Sequence, residues 1–242
     1  MAGRSVLPPT LDAQALHWVY HTLLTAYGPR HWWPARNDFE IMVGAILTQN
    51  TAWTNVRRAL DNLYAANAMD PRRILAANPD DLAEWLRPSG YFNLKAKRLR
   101  AYCRWYVDSG GKSALSALAT DQLRQRLLGV YGIGPETADD ILLYVFERPV
   151  FVVDRYTQRL FQRLGLIAAP LPYEALRAAV EQALTPDAAL LNEFHAQIDG
   201  HAGRVCRTSP HCTDCVLAAR CPVGAQAVGF GVLADQPPVS PN

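Results

Sequence analysis

Apolar residues recur along this chain at intervals of three and four. Leu16, Val19, Tyr20, Leu23 and Tyr27 mark one such face; Thr10 or Asp12 is available as a cap at its start, and Gly28-Pro29 ends it. Further helices are expected at Phe39 to Leu47, Ala52 to Ala66, Asn93 to Asp108, Asp121 to Leu128, Pro135 to Phe146, Asp154 to Leu164, Pro172 to Leu184 and Ala188 to His201. Asp70-Pro71 and Asn78-Pro79 each read as a cap followed by proline at the first helical position. No hairpin turn separates alternating segments, and the one strand-like run, Val150 to Val153, is too short to seed a sheet. The expected fold class is therefore all-α. The ends, Met1 to Pro9 and Val223 to Asn242, carry Pro, Gly, Ser and Ala without periodicity and are expected to be mobile.

Composition narrows the class without changing the fold. In 242 residues, half are apolar and 19% are charged, which excludes collagen-like, coiled-coil and disordered chains. No window approaches the ~18 uninterrupted apolar residues of a membrane helix, and the first ten residues lack the apolar segment of a signal peptide. A cytoplasmic protein with no membrane partner is expected. The formal charge of +2 does not by itself indicate nucleic acid, but only Lys95, Lys97 and Lys112 of the 24 basic residues are lysine. That excess of arginine suits phosphate contacts. Cys206, Cys212, Cys215 and Cys221 crowd into one short segment and leave Cys103 alone, which reads as a metal site before it reads as disulfides. Four thiolates close around zinc or a [4Fe–4S] cluster, and spacing alone does not separate the two.

The densest stretch is Val130-Tyr131-Gly132-Ile133-Gly134, between two expected helices and followed by Pro135-Glu136-Thr137-Ala138. Two glycines flanking one apolar residue let a tight turn present backbone N–H groups to an anion, and the next helix N-terminus adds partial positive charge. Gly132, Ile133, Gly134 and Thr137 are the candidate phosphate contacts. An ordinary helix-helix corner would carry the same glycines.

With Leu47-Thr48-Gln49-Asn50-Thr51, the Gly90 to Ala96 turn, the Pro149 to Asp154 segment and the cysteine cluster, this stretch resembles the helix-hairpin-helix DNA glycosylases of the endonuclease III superfamily. The resemblance runs from about Trp32 to Cys221. It implies two helical domains flanking a DNA-binding cleft: 31–145 with the hairpin, and 1–30 joined to 146–222 with a C-terminal iron-sulfur cluster loop, leaving 223–242 as a flexible tail. It implies a nucleoid-associated monomer acting on double-stranded DNA that contains a damaged base. Asp154 is then the catalytic carboxylate, compatible with a second duty as helix cap. Gln49 or Asn50 is the candidate wedge that fills the vacated stack.

Bifunctional members of the family carry a lysine in the second helix of the hairpin, whose amine attacks the sugar to form a Schiff base. Glu136 occupies the matching position. A carboxylate forms no imine, so the expected activity is hydrolysis without strand cleavage. Glu136 is then either a solvated acid in the first helical turn or a second pocket carboxylate that attracts a cationic base. The adenine-mismatch branch uses a glutamate in the helix before the Gln-Asn turn, and here Val43 to Leu47 holds no acid. His31-Trp32-Trp33-Pro34 and Trp53 are most similar to the bacterial 3-methyladenine glycosylases related to endonuclease III, in which aromatic rings sandwich the flipped base. By that likeness Trp32 or Trp33 supplies one face and Trp53 the other. An alkylated purine is cationic and already holds a weakened glycosidic bond, so stacking on indole discriminates without many hydrogen bonds.

The family places a [4Fe–4S] cluster at the cysteines, with a first spacer of six residues where this chain has five. Arg204 and Arg207 beside the ligands are then DNA-phosphate contacts. Two rivals remain: an endonuclease III proper acting on oxidised pyrimidines, and a DNA-binding or redox module without catalysis.

Overall fold

A computed structural model describes residues 10–185 and 187–229. The elements in chain order are α1 (Ala13–Tyr27), α2 (Asp38–Leu47), α3 (Trp53–Ala65), α4 (Pro71–Ala76), α5 (Pro79–Leu86), α6 (Phe92–Asp108), α7 (Gly111–Ser116), α8 (Thr120–Leu128), α9 (Pro135–Tyr144), α10 (Arg155–Arg163), α11 (Tyr173–Ala183), α12 (Ala188–Arg204) and α13 (Pro222–Val228). Short 3-10 turns join some of them, and no strand occurs among the described residues. None of the described helices is long and apolar enough to cross a membrane.

Local chemistry accounts for the helix starts. Asp12 rather than Thr10 caps α1, accepting the N–H groups of Gln14 and Ala15. Asp70 and Asn78 cap α4 and α5, each with proline at the first turn. Helix α7 was not expected, because Gly110 and Gly111, both left-handed, mask its start as a plain turn.

The chain divides into two compact units, with boundaries between Trp32 and Trp33 and between Val152 and Val153. The expected division at 145/146 is thus displaced: 146–152 stay with the hairpin unit, where Val150, Phe151 and Val152 are buried without forming a strand. In the hairpin unit α2 runs through the core, with Met42 to Leu47 all buried, and packs on α3, α6 and α9. In the other unit α12 is central, buried along Leu191, Phe194 and Ile198 against α1 and α10. The expected tail from 223 is also corrected. Pro222–Val228 is helical and buries Gly224 and Ala225, and a Cβ at Gly224 would stand 2.8 Å from the Ala218 backbone. Residues 230–242, like Met1 to Pro9, lie outside the described residues.

Candidate functional site

Helix α8, the Gly129 to Gly134 turn and α9 form the hairpin. Gly132 adopts φ +85°, and the Ile133 N–H closes the turn on the Val130 carbonyl at 3.1 Å. Its side chain is buried, so Ile133 anchors the turn from inside instead of meeting a ligand. Thr137 is likewise buried, and its Oγ1 accepts a bond from Gln49 Nε2 at 3.0 Å. Gly132 and Gly134, half-buried, are left as the candidate anion contacts, beside Tyr131, which is 60% exposed. A bidentate ion pair stitches the helices together: Arg124 Nε and Nη2 donate to the two Asp139 oxygens at 2.7 and 3.0 Å, with the Asp139 side chain fully buried.

The Thr48 to Thr51 turn sits against this hairpin. Gln49 Nε2 also donates to the Gly132 carbonyl at 3.0 Å, so the Gln49 amide is engaged within the protein. Asn50 is the exposed member of the pair, with φ +54°. The buried Lys95 ammonium donates to Leu47 O at 2.8 Å and to Thr51 Oγ1 and Ser89 O at 2.6 Å. Burial, with the Arg98 charge adding to it, pushes that amine down to about 8. Tyr91, 73% exposed with φ +46° ahead of α6, is a surface aromatic that periodicity does not single out.

The indoles depart from the expected sandwich. Trp33 and Trp53 meet edge to face, with centroids 5.3 Å apart and an interplanar angle of 82°. A base between parallel faces needs roughly 7 Å, twice the carbon contact distance. Trp33 also packs edge-on to Tyr144 at 5.4 Å, and its ring lies over Gly44, where a Cβ would stand 3.2 Å from Cζ2. Trp33 is thus seated on a glycine of α2, and Trp53 meets it edge to face. Trp32 falls in the other unit.

In that other unit Asp154 caps α10. Its Oδ1 accepts the Thr157 N–H at 2.7 Å, which fixes the rotamer and leaves Oδ2 without a partner among the described residues. A second acid, Asp199 on α12, was missed from sequence because it continues an ordinary helical run. Burial raises its pKa; His195 lowers it, the Asp154 charge raises it, and Arg30 and Arg155 lower it. Glu136 is exposed in the first turn of α9.

The four clustered cysteines line one pocket with Leu160, Arg163 and Leu217. Burial raises the Cys215 thiol to about 11, and the other three cysteines push in the same direction. Two nitrogen groups lie near the sulfurs. Arg163 Nη1 donates to Cys206 Sγ at 3.2 Å. His201, kept neutral by burial, which lowers its pKa to about 4, has Nδ1 2.9 Å from Tyr27 Oη and Nε2 3.6 Å from Cys215 Sγ. No three His, Cys, Asp or Glu side chains among the described residues close on a single-ion position. Arg204 and Arg207 are exposed, and Arg207 lines a polar groove with Arg155, Tyr156, Arg159 and His211.

Residues 43–186 match the family model described as HhH-GPD superfamily base excision DNA repair protein. The chain is 41% identical over 212 residues to MJ1434 of Methanocaldococcus jannaschii, named for a DNA repair glycosylase role, covering 86% of this chain and 96% of that one. Among solved structures, a 3-methyladenine DNA glycosylase of H. pylori bound to 1,N6-ethenoadenine is 30% identical with a TM-score of 0.67, over 79% of this chain and 97% of the other. A non-covalent endonuclease III–DNA complex superposes with a TM-score of 0.78 at 20% identity, covering 91% of this chain and all of that one, a likeness of fold.

Proposed function

Because the chain belongs to the HhH-GPD superfamily of base excision DNA repair proteins, we propose that it is a monofunctional DNA glycosylase. It hydrolyses the glycosidic bond of an alkylated purine such as 3-methyladenine in duplex DNA and leaves the backbone uncut. The observation that carries this reading is the fate of the amines. An imine at the sugar needs a reachable lysine, and Glu136 stands where the lyases of the family carry one. Lys95 is 1% exposed, and its three protons are all donated to protein oxygens. Lys112 pairs with Asp38 at 2.6 Å, and Lys97 is exposed on the side of α6 opposite Lys95.

Hydrolysis needs less machinery. The Asp154 carboxylate, held by Thr157 N–H, offers Oδ2 to the oxocarbenium character that develops as the base departs, or to the attacking water. Trp53 stacks on the cationic base, a contact worth ~2 kcal/mol when desolvated. Gly132 and Gly134 of the hairpin, with Arg204 and Arg207, bind DNA phosphates. The 30% identity to a 3-methyladenine glycosylase supports the alkylpurine reading over the oxidised-pyrimidine one.

The cysteine segment fits a [4Fe–4S] cluster held by Cys206, Cys212, Cys215 and Cys221. The four side chains all offer sulfur, they line one pocket, and the Arg163 N–H faces one of them with the His201 ring nitrogen near another. When bound, the cluster supplies four covalent Fe–S links that order the loop carrying Arg207.

The deciding experiment incubates purified protein with duplexes carrying 3-methyladenine, 1,N6-ethenoadenine or an oxidised pyrimidine, developed with and without alkali. The expected result is release of the alkylated purine, with breaks only after alkali, and an Asp154→Asn variant slowed by about 10²–10⁴-fold. Prompt nicking without alkali, with a lysine trapped on DNA by borohydride, would establish the endonuclease III-type reading instead.

A further inference from the structure

Arg98, on α6, has no place in the reading so far. Its stem lies flat across the hairpin: a Cβ at Gly132 would overlap Arg98 Cγ and stand 2.6 Å from Cδ and 2.9 Å from Nε. Its Nη1 donates to Gln49 Oε1, while Gln49 Nε2 donates onward to the Gly132 carbonyl and to Thr137 Oγ1. Three pieces of chain, the α2–α3 turn, α6 and the hairpin, therefore meet in one closed set of polar contacts. One helical turn earlier on the same face of α6, Lys95 holds both ends of the Thr48 to Thr51 turn through Leu47 O and Thr51 Oγ1.

Two further observations set Arg98 apart from a routine packing arginine. Its Nε–H is buried and meets no acceptor among the described residues. No carboxylate pairs with it among the described residues, and it lies beside a turn suited to an anion. A buried donor left unsatisfied is costly and persists where the surroundings over-determine it.

We propose that Arg98 is a positioning residue that locks Gln49 to the hairpin, so that the hairpin's grip on the DNA backbone fixes where the Gln49-Asn50 turn meets the extruded nucleotide. The inference rests on the proposed reading of the hairpin as the backbone grip and the turn as the wedge. It makes backbone binding and base extrusion one mechanical event. Arg98 touches neither sugar nor base; it acts through Gln49.

The test compares Arg98→Met, Arg98→Lys, Gln49→Ala and the Met/Ala double variant. Methionine keeps an unbranched stem across Gly132 and removes only the polar head, so the melting temperature is expected to hold. Extrusion is read by fluorescence of 2-aminopurine opposite or beside a 3-methyladenine analogue, excision by single-turnover rate, and backbone grip by affinity for undamaged duplex. Each single variant should slow extrusion and excision about tenfold, and the double variant should be no worse than the worse single, the signature of one shared interaction. Affinity for undamaged duplex should change less than about twofold, and lysine should restore part of the loss. Multiplied losses in the double variant, or a fall in excision that tracks the folded fraction, would overturn the inference. Wild-type protein that extrudes while Arg98→Met extrudes equally well overturns this inference alone. Wild-type protein that extrudes nothing overturns the reading beneath it as well.

Discussion

The hairpin turn at Gly132 and the cysteine segment from Cys206 to Cys221 are both places where helices stop and irregular chain takes over. The hairpin is braced on every side by the chain's own groups: Arg124–Asp139 across its helices, Gln49 on its carbonyl, and Arg98 over its glycine. The cysteine segment has short 3-10 turns closed by 3.1–3.2 Å bonds between near neighbours, and the α10 arginines reach its first residues. Arg159 and Arg163 of α10 donate to the carbonyls of Ala202, Cys206, Arg207 and Thr208, and the four cysteines line a common pocket. The difference teaches that the hairpin is finished by its own side-chain contacts, whereas the cysteine segment is held mainly by backbone turns and by the arginines of α10, with the proposed cluster as its remaining brace.

If the proposed cluster is bound, removing one of its cysteines has the largest expected effect. Bound structural metal in small sites contributes on the order of 10 kcal/mol of folding free energy. Cys215→Ala should lose iron and visible absorption and expose the 206–221 segment to protease, while the hairpin unit keeps its amide-exchange protection. A colourless, zinc-containing wild-type protein would remove the cluster from this comparison, and a Cys215→Ala variant as protease-resistant as wild type would erase the contrast altogether.

The hairpin offers the converse test. Asp139→Asn leaves the Arg124 guanidinium, 12% exposed, without its carboxylate, which costs about 3–5 kcal/mol. In a chain of this size that lowers the melting temperature by roughly 2–4 °C per kcal/mol. Replacing both partners together, Arg124→Met with Asp139→Leu, should recover most of the loss, because the penalty comes from the stranded charge. A single variant that melts like wild type would show that the brace contributes nothing and that the hairpin depends on backbone bonds alone.

The same contrast marks what was legible in the sequence. Caps such as Asp70-Pro71 and the Gly-Ile-Gly turn are written in adjacent residues, and α4, α5, α8 and α9 follow from them. The side chains that brace the hairpin are not, since Gln49 reaches Gly132 across more than eighty positions and Arg98 reaches both by a tertiary crossing. Adjacent residues therefore name Gln49 and Thr137 as candidate DNA contacts without showing that the two side chains bond to each other inside the protein. Helix α13 was lost in a tail of Ala, Gly and Val because its burial depends on the 3-10 turn at Ala218, not on periodicity. Asp154 was legible twice, as a cap and as a candidate acid, whereas Asp199 depends on the packing of α10 against α12.

The smallest predicted effect concerns Trp53, where recognition and packing share one side chain. If Trp53 stacks on a cationic base, truncation to alanine removes ~2 kcal/mol at the transition state, roughly thirtyfold in excision of 3-methyladenine. Its edge-to-face contact with Trp33 contributes a separate ~0.5–1.5 kcal/mol to stability, which also disappears. The two losses separate because excision is measured on folded enzyme and the second appears only in the melting curve. Trp53→Phe keeps a smaller face and should retain much of the activity, and affinity for undamaged duplex should be unchanged, since phosphate contacts supply it. Trp33→Ala sharpens the point: if Trp33 is a wall seated on Gly44, its loss lowers stability more than Trp53→Ala does and affects excision only by releasing the Trp53 ring. Excision by Trp53→Ala that falls only in proportion to the folded fraction would assign both indoles to the core and leave the base to be recognised elsewhere.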